Sequence, residues 1–423
     1  MTGLLFGVGL LVLAALGAPV FALMGALALF LFHGAEINTS SVIVEMMRLA
    51  DLPALIAIPL FTFAGFILAE SKAPQRMLDL AEALFGWMPG GVAIVGLLTC
   101  ALFTAFTGAS GVTIVALGGL LFPMLLRQGY SRQFSLGLLT CTGSLGLLFP
   151  PSLPIILYGL VAKVSIDHLF LAGAVPGIGL IAVLATYSAV VGWKFGLPRK
   201  PFSLREVLRA ARAAAWEIPL PVVIIGGIYG GLFTATDSAA VMAFYVLITE
   251  FFIYRDLRIS ELPGVVFRSM MLVGAILMVL GTALGLTNYL IDAEIPNRLF
   301  TVLHDWVSSK VVFLLVLNAL LLVINMVEIF SAIIIVVPII VPIAMQYGID
   351  PVHLGIIFLL NLEMGYMTPP LGLNLFLSSR RFEEPLPRLY RASFVFWAIH
   401  GVMLLIVTYA PGISLWLLHM RGR

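Results

Sequence analysis

The sequence predicts an all-α integral membrane protein built as two inverted repeats, with about ten transmembrane helices, two re-entrant helical hairpins and two broken helices. Three observations lead there: the composition, the lengths of the apolar runs, and a recurrence of proline and glycine at constant spacing. Of 423 residues, 61% are hydrophobic and 10% charged, with a mean hydropathy of +1.12. A soluble domain carries about 25% charged residues, because its surface must hold water. Most of this chain's surface therefore faces lipid.

Apolar runs cover residues 4–32, 52–68, 91–106, 111–126, 134–161, 169–191, 218–233, 239–253, 270–290, 311–327, 332–345, 354–376 and 394–418. The first is too long for one crossing, and Gly17-Ala18-Pro19 near its middle divides it into two short helices. No basic n-region precedes it, so it is expected to be mature structure and not a cleaved signal. Several other runs fall short of the roughly 20 residues that a crossing needs. The short ones pair around a polar tip, 91–106 with 111–126 and 311–327 with 332–345, as re-entrant hairpins do. Irregular backbone survives at membrane depth only inside protein or beside a watery cavity.

Pro123, Gly129, Pro150 and Pro151 recur as Pro342, Gly348, Pro369 and Pro370, each 219 residues on. Pro74-Gln75-Arg76 is echoed 222 residues later by Pro296-Asn297-Arg298, and each begins an amphipathic stretch suited to the interface. Each half then holds three crossings, a surface arm, a hairpin, a broken helix and a final crossing. Five crossings is odd, which inverts the second copy, an architecture common among secondary transporters.

Loop charge orients the chain. Residues 194–212 carry six basic residues against Glu206 alone and belong in the cytoplasm. Alternation places 127–132, 255–268 and 380–391 on that side, and 36–51, Asp167 and Asp350 outside. The C-terminus falls outside by parity, against its two terminal arginines. A net charge of +2 without a basic, aromatic-laced patch excludes nucleic acid as a partner. Cys100 and Cys141 sit in apolar runs as buried free thiols. Neither a transition-metal spacing nor a Walker-type glycine loop occurs, which sets ATP aside as the energy source.

Four segments hold nearly all the polar groups at membrane depth. The first tip is Thr107-Gly108-Ala109-Ser110-Gly111, and the first break is Thr142-Gly143-Ser144 followed by Phe149-Pro150-Pro151-Ser152. The second tip spans Asn325, Met326, Val327, Glu328, Ile329, Phe330 and Ser331. The second break runs from Asn361 through Glu363, Gly365, Met367 and Thr368 to Pro369-Pro370, with Asn374 beyond. A Pro-Pro pair withholds two amide donors and disfavours helix before it, freeing carbonyls for a cation. Glycine and serine at a helix N-terminus present amide groups to an anion. Small polar residues also pack membrane helices together, so each alone divides evenly between packing and binding, whereas their repetition across both halves favours binding. Glu328 and Glu363 are costly at this depth and point to ion coupling, substrate orientation, or a structural pair. Lys163 is expected to snorkel to the interface.

At these residues the chain resembles the large membrane subunit of the tripartite ATP-independent periplasmic (TRAP) transporters. The resemblance rests on Phe106-Thr107-Gly108-Ala109-Ser110-Gly111, Thr142-Gly143-Ser144 with Pro150-Pro151-Ser152, and Asn361-Leu362-Glu363-Met364-Gly365 with Thr368-Pro369-Pro370. It implies an elevator-type Na⁺ symporter in a bacterial inner membrane, taking up a small organic anion such as a C4-dicarboxylate, a sialic acid or a sugar acid. It further implies a small four-helix membrane subunit, a periplasmic substrate-binding protein, and membrane lipid around the whole. Residues 91–165 and 311–380 would form the moving transport domain. Residues 1–90, 166–310 and 381–423 would form the scaffold, including the arms and basic loop. Substrate is expected on Thr107, Gly108, Ser110, Ser152, Glu328 and Asn374. Na⁺ is expected on Thr107, Ser110, Thr142, Gly143, Ser144, Asn325, Ser331, Asn361, Met367 and Thr368. A stand-alone divalent-anion/Na⁺ symporter shares the hairpins and inverted repeats and is the alternative. An intramembrane enzyme would need a Ser/Lys, paired-Asp or zinc set within its helices, and none occurs.

Overall fold

The computed structural model describes residues 2–198, 200–307, 309–324 and 329–420, and all regular secondary structure among them is helical. The chain opens with α1 (Thr2–Ala15) and α2 (Val20–Gly34), parted where expected by Gly17 at φ +87° and by Pro19. Next come α3 (Ser40–Arg48), α4 (Ala57–Glu70) and the first arm, α5 (Ala73–Phe85). The first hairpin is α6 (Gly91–Thr107) and α7 (Ser110–Arg127), and the first broken helix is α8 (Arg132–Thr142) and α9 (Leu153–Ala162). Helix α10 (Ile166–Lys194) precedes the basic segment, which holds α11 (Leu204–Ala213). Then follow α12 (Pro219–Gly230), α13 (Ala235–Ile248), α14 (Leu262–Asp292) and the second arm, α15 (Ile295–Trp306). Beyond it lie α16 (Lys310–Ile324) and α17 (Ile329–Gln346), the second broken helix α18 (Pro351–Gly365) with α19 (Leu373–Phe382), and finally α20 (Leu386–Tyr409) and α21 (Pro411–Met420).

Among the described residues, six helical segments are long and apolar enough to span a membrane: α7, α10, α13 with its following turn, α14 with its preceding turn, α17 and α20. Helices α8 and α9 together make a further span bent by 45°, and α2, α4, α6, α12 and α18 are shorter apolar helices. The last run departs from expectation. Residues 394–418 were expected as one crossing, but the helix stops at Tyr409 and a separate α21 starts at Pro411. Proline lacks the amide donor that the helix needs there and pushes the preceding residue out of helical geometry; Ala410 sits at φ −120°, ψ 73°. Helix α21 then packs on α10.

The repeat is visible in the backbone. Pro150-Pro151 and Pro369-Pro370 are both cis, Gly129 and Gly348 both have positive φ, and Pro123 and Pro342 both lie inside helices. Ser131 and Asp350, also 219 residues apart, cap α8 and α18 through their side chains. Lys163 and Glu383 end α9 and α19 in left-handed conformation.

Two packing groups emerge. In one, α2 and α3 lie on α14, and α4 lies between α13 and α14. In the other, α8 packs on α20, α6 on α7 and α10, α17 on α9, and α16 on α18. Helices α10 and α20, expected in the scaffold, lie against the broken helices. The first arm is fastened by charge: Arg76 binds Glu217, Asp256 and Glu250, and its guanidinium stacks 3.8 Å from the centre of the Tyr254 ring. Cys100 and Cys141 are buried and free.

Candidate functional site

The first tip is a tight turn between two helices. Gly108 takes φ +65°, which a side chain strongly disfavours, and closes α6. Thr104 and Thr113 join α6 to α7 through their hydroxyls at 2.7 Å, and Thr104 also donates to the carbonyl of Gly143 at 3.0 Å. The hairpin is thereby tied to the first break.

Both sides of that break touch the tip. A methyl group at Gly143 would come within 3.3 Å of the Ser110 carbonyl, and one at Gly108 within 2.6 Å of Leu153, the first residue of α9. From the other packing group, Gly65 of α4 lets the backbone of Phe106 and Thr107 approach; its Cβ would lie 2.7 Å from the Thr107 Cα. Glycine at these contacts allows backbone to approach backbone.

The second broken helix reaches the same place. Asn374 donates through Nδ2 to the Thr140 carbonyl at 3.0 Å and to the Ser144 hydroxyl at 3.5 Å. Thr140 in turn donates to Ser378 at 2.9 Å. Thr107, Gly108, Ser110, Gly143, Ser144, Ser152 and Asn374 thus lie in one neighbourhood. Thr142 is buried beside them, but its hydroxyl donates within its own helix, to the Leu139 carbonyl at 3.2 Å.

The oxygens of this neighbourhood are unevenly satisfied. The buried Thr107 Oγ1, Ser152 Oγ and Asn374 Oδ1 have no hydrogen-bond partner among the described residues. An unpaired buried polar group is destabilising by about 1–3 kcal/mol, so such atoms mark where something else binds. Helices α7 and α9 both begin here without side-chain caps, leaving first-turn amides open to an anion. Cation-seeking oxygens and anion-seeking amides therefore stand side by side.

The second set is arranged differently. Asn325 and Glu328 lie outside the described residues. Ser331 and Met367 are buried, and Thr368 is partly buried. The Thr368 hydroxyl donates to the Met364 carbonyl and accepts from Trp397 Nε1 of α20 at 2.9 Å. Asn361 donates to Asn318 Oδ1 of α16 at 2.6 Å, and Asn318 donates to Thr408 of α20 at 3.1 Å. The Asn361 Oδ1 remains without a partner among the described residues. Glu363 is buried, with His400 Nε2 of α20 at 3.8 Å. Asn318, Trp397 and His400 were not singled out in the sequence. Their signal was there, as lone polar or amphipathic residues inside the apolar runs 311–327 and 394–418.

Residues 7–413 match the family described as the tripartite ATP-independent periplasmic transporter, DctM component. The chain belongs to this family. It is 38% identical over 402 residues to the C4-dicarboxylate TRAP transporter large permease protein DctM of Pseudomonas aeruginosa, covering 95% of this chain and 94% of that one. It is 32% identical to the isethionate TRAP transporter permease protein DctMQ of Oleidesulfovibrio alaskensis, over 96% of this chain and 69% of that longer relative. Among solved structures it is similar to the YdaH transporter of Alcanivorax borkumensis, with a TM-score of 0.62 over 89% of each chain. At 14% identity that likeness is one of fold. This TRAP large permease is a multi-pass membrane transport protein and not an enzyme.

Proposed function

We propose that this permease carries a small organic anion inward across a bacterial inner membrane together with Na⁺, by an elevator movement of the hairpins and broken helices. A periplasmic binding protein would deliver the substrate, and a small four-helix membrane subunit would dock on the scaffold. The observation that carries this reading is the meeting of the first tip with both broken helices, around the orphaned oxygens of Thr107, Ser152 and Asn374. Na⁺ is a hard cation that prefers carbonyl, hydroxyl and carboxamide oxygen. The open amides of α7 and α9 favour a carboxylate or sulfonate beside it, so each ion neutralises the other's charge at depth. Helices α10 and α20, which pack on the broken helices, would travel with them.

The two related permeases named above are called C4-dicarboxylate and isethionate transporters, and both of those substrates are small organic anions. The test is uptake in proteoliposomes holding this chain with its small subunit, offered labelled organic acids on the binding protein. Accumulation should require both an inward Na⁺ gradient and the binding protein. Ser110→Leu or Thr368→Leu should abolish uptake with expression intact. Accumulation without the binding protein would return the stand-alone symporter, and uptake indifferent to Na⁺ would remove the coupling ion.

A further inference from the structure

A groove of about 660 Å³ runs between α5, α6, α10 and α12. Met77, Leu84, Leu102, Phe149, Ile181 and Val222 represent its walls, which are apolar save for Thr99 and Glu217. Glu217 is already engaged by Arg76 and Tyr254, so the groove offers almost nothing to water. Its outer lip is exposed, with Ile178 at 61% and Val222 at 68%. In a bilayer such a lip meets hydrocarbon.

Beside the groove lies a surface of opposite character. Helix α11 packs along α5 and buries none of its residues fully. Arg205, Arg209 and Arg212 follow one another at i, i+4 and i+7 and so share a face. None of the three forms a salt bridge among the described residues. Phe202, Leu204 and Leu208, next to that face, are each more than half exposed. A basic stripe edged by exposed apolar side chains is how a helix sits in the headgroup layer. The chain passes directly from α11 into the groove wall, at Ala214 and Ile218.

We propose that this groove is a binding site for one anionic phospholipid, its acyl chain between α5, α6, α10 and α12 and its headgroup on Arg205, Arg209 and Arg212. Charge complementarity decides the occupant: three unpaired guanidinium groups at the mouth of an apolar slot call for an amphiphile with a negative head. Four helices contribute to the walls, with α5 packed on α6 and α12 on α10.

Native mass spectrometry of the full-length chain in its membrane complex tests this, with phosphatidylglycerol and phosphatidylethanolamine supplied in equal amounts. The wild type should retain one phosphatidylglycerol in preference to phosphatidylethanolamine. Joint Arg205→Gln, Arg209→Gln and Arg212→Gln should lower phosphatidylglycerol retention at least tenfold, whereas lysine at all three positions should preserve it. Ala101→Trp, which fills the groove, should displace the lipid whatever its headgroup. Equal retention of the two lipids by the wild type, or undiminished retention in the glutamine variant, would overturn the proposal. So would a photo-crosslinker at Val222 that captures a partner polypeptide in place of lipid.

Discussion

The two broken helices share a backbone and differ in chemistry. Each has a side-chain N-cap and a cis Pro-Pro pair at matching positions of the repeat, and a left-handed closing residue within one position of register. Yet Thr142-Gly143-Ser144 in the first stands where Asn361-Leu362-Glu363 stands in the second. The first break is small enough to admit the hairpin tip. The second engages neighbouring helices, Asn361 reaching α16 and Glu363 and Thr368 reaching α20. The hairpins differ in the same sense. Helices α6 and α7 pack together and share a threonine bond, whereas α16 lies on α18 and α17 on α9 and α14. The repeat therefore keeps where the chain breaks, while the side chains at the break differ between the halves.

The arms give the sharpest way to break that comparison. Arg76 is partly buried among three carboxylates, and its echo Arg298 is exposed. Arg76→Gln takes the guanidinium from all three, leaving Glu217 with Tyr254 and Asp256 with Lys72, and should lower stability by about 3 kcal/mol. Arg298→Gln should leave the thermal midpoint unchanged. An equal loss in both would mean that the arms are anchored alike.

Gly143→Val would push carbon into Ile114 and the Ser110 carbonyl, displacing the tip from the break. Uptake should fall about a hundredfold, as it does when reacting groups are misplaced by an ångström. Leu362→Ile, at the matching position, should stay within a few-fold of wild type. Asn361→Leu removes the donor to the buried Asn318 and should destabilise by about 1–3 kcal/mol. Thr142→Val, whose hydroxyl bonds within its own helix turn, should lose about 1 kcal/mol when measured without Na⁺.

The smallest effect is on acid stability. Burial pushes the Glu384 carboxyl up, but hydrogen bonds from Arg132 and Arg388 outweigh it and hold the group below its ordinary 4.5. Its stabilisation is therefore full above that value and is lost as pH falls through the lowered folded-state value. Since Arg132 opens α8 and Glu384 follows α19, this bond ties one repeat to the other. Glu384→Gln should flatten the fall of the thermal midpoint below pH 4.5, visible in an acid series of melting curves.

Much of the backbone was legible because proline and glycine act locally. Gly17, Gly108, Pro150-Pro151 and Pro369-Pro370 constrain the chain wherever it goes, and they place the breaks at the positions expected from spacing. Pro411 acts by the same rule, but hydropathy alone joined α20 to α21 across it. The candidate site was legible as segments and not as contacts. That Thr142 bonds inward, that Asn361 prefers Asn318, and that Glu363 faces His400 depend on which helices become neighbours. So does the packing of α10 and α20 on the broken helices, because their apolar runs carry no mark of the partner they face.

The central claim is that the first tip and the breaks hold Na⁺. The most direct measurement is the thermal midpoint of the purified complex in NaCl and in KCl at equal ionic strength. A ligand that binds only the folded state raises that midpoint by mass action. The account predicts a saturable rise in Na⁺ that Ser110→Leu abolishes, whereas identical midpoints in the two salts would contradict it.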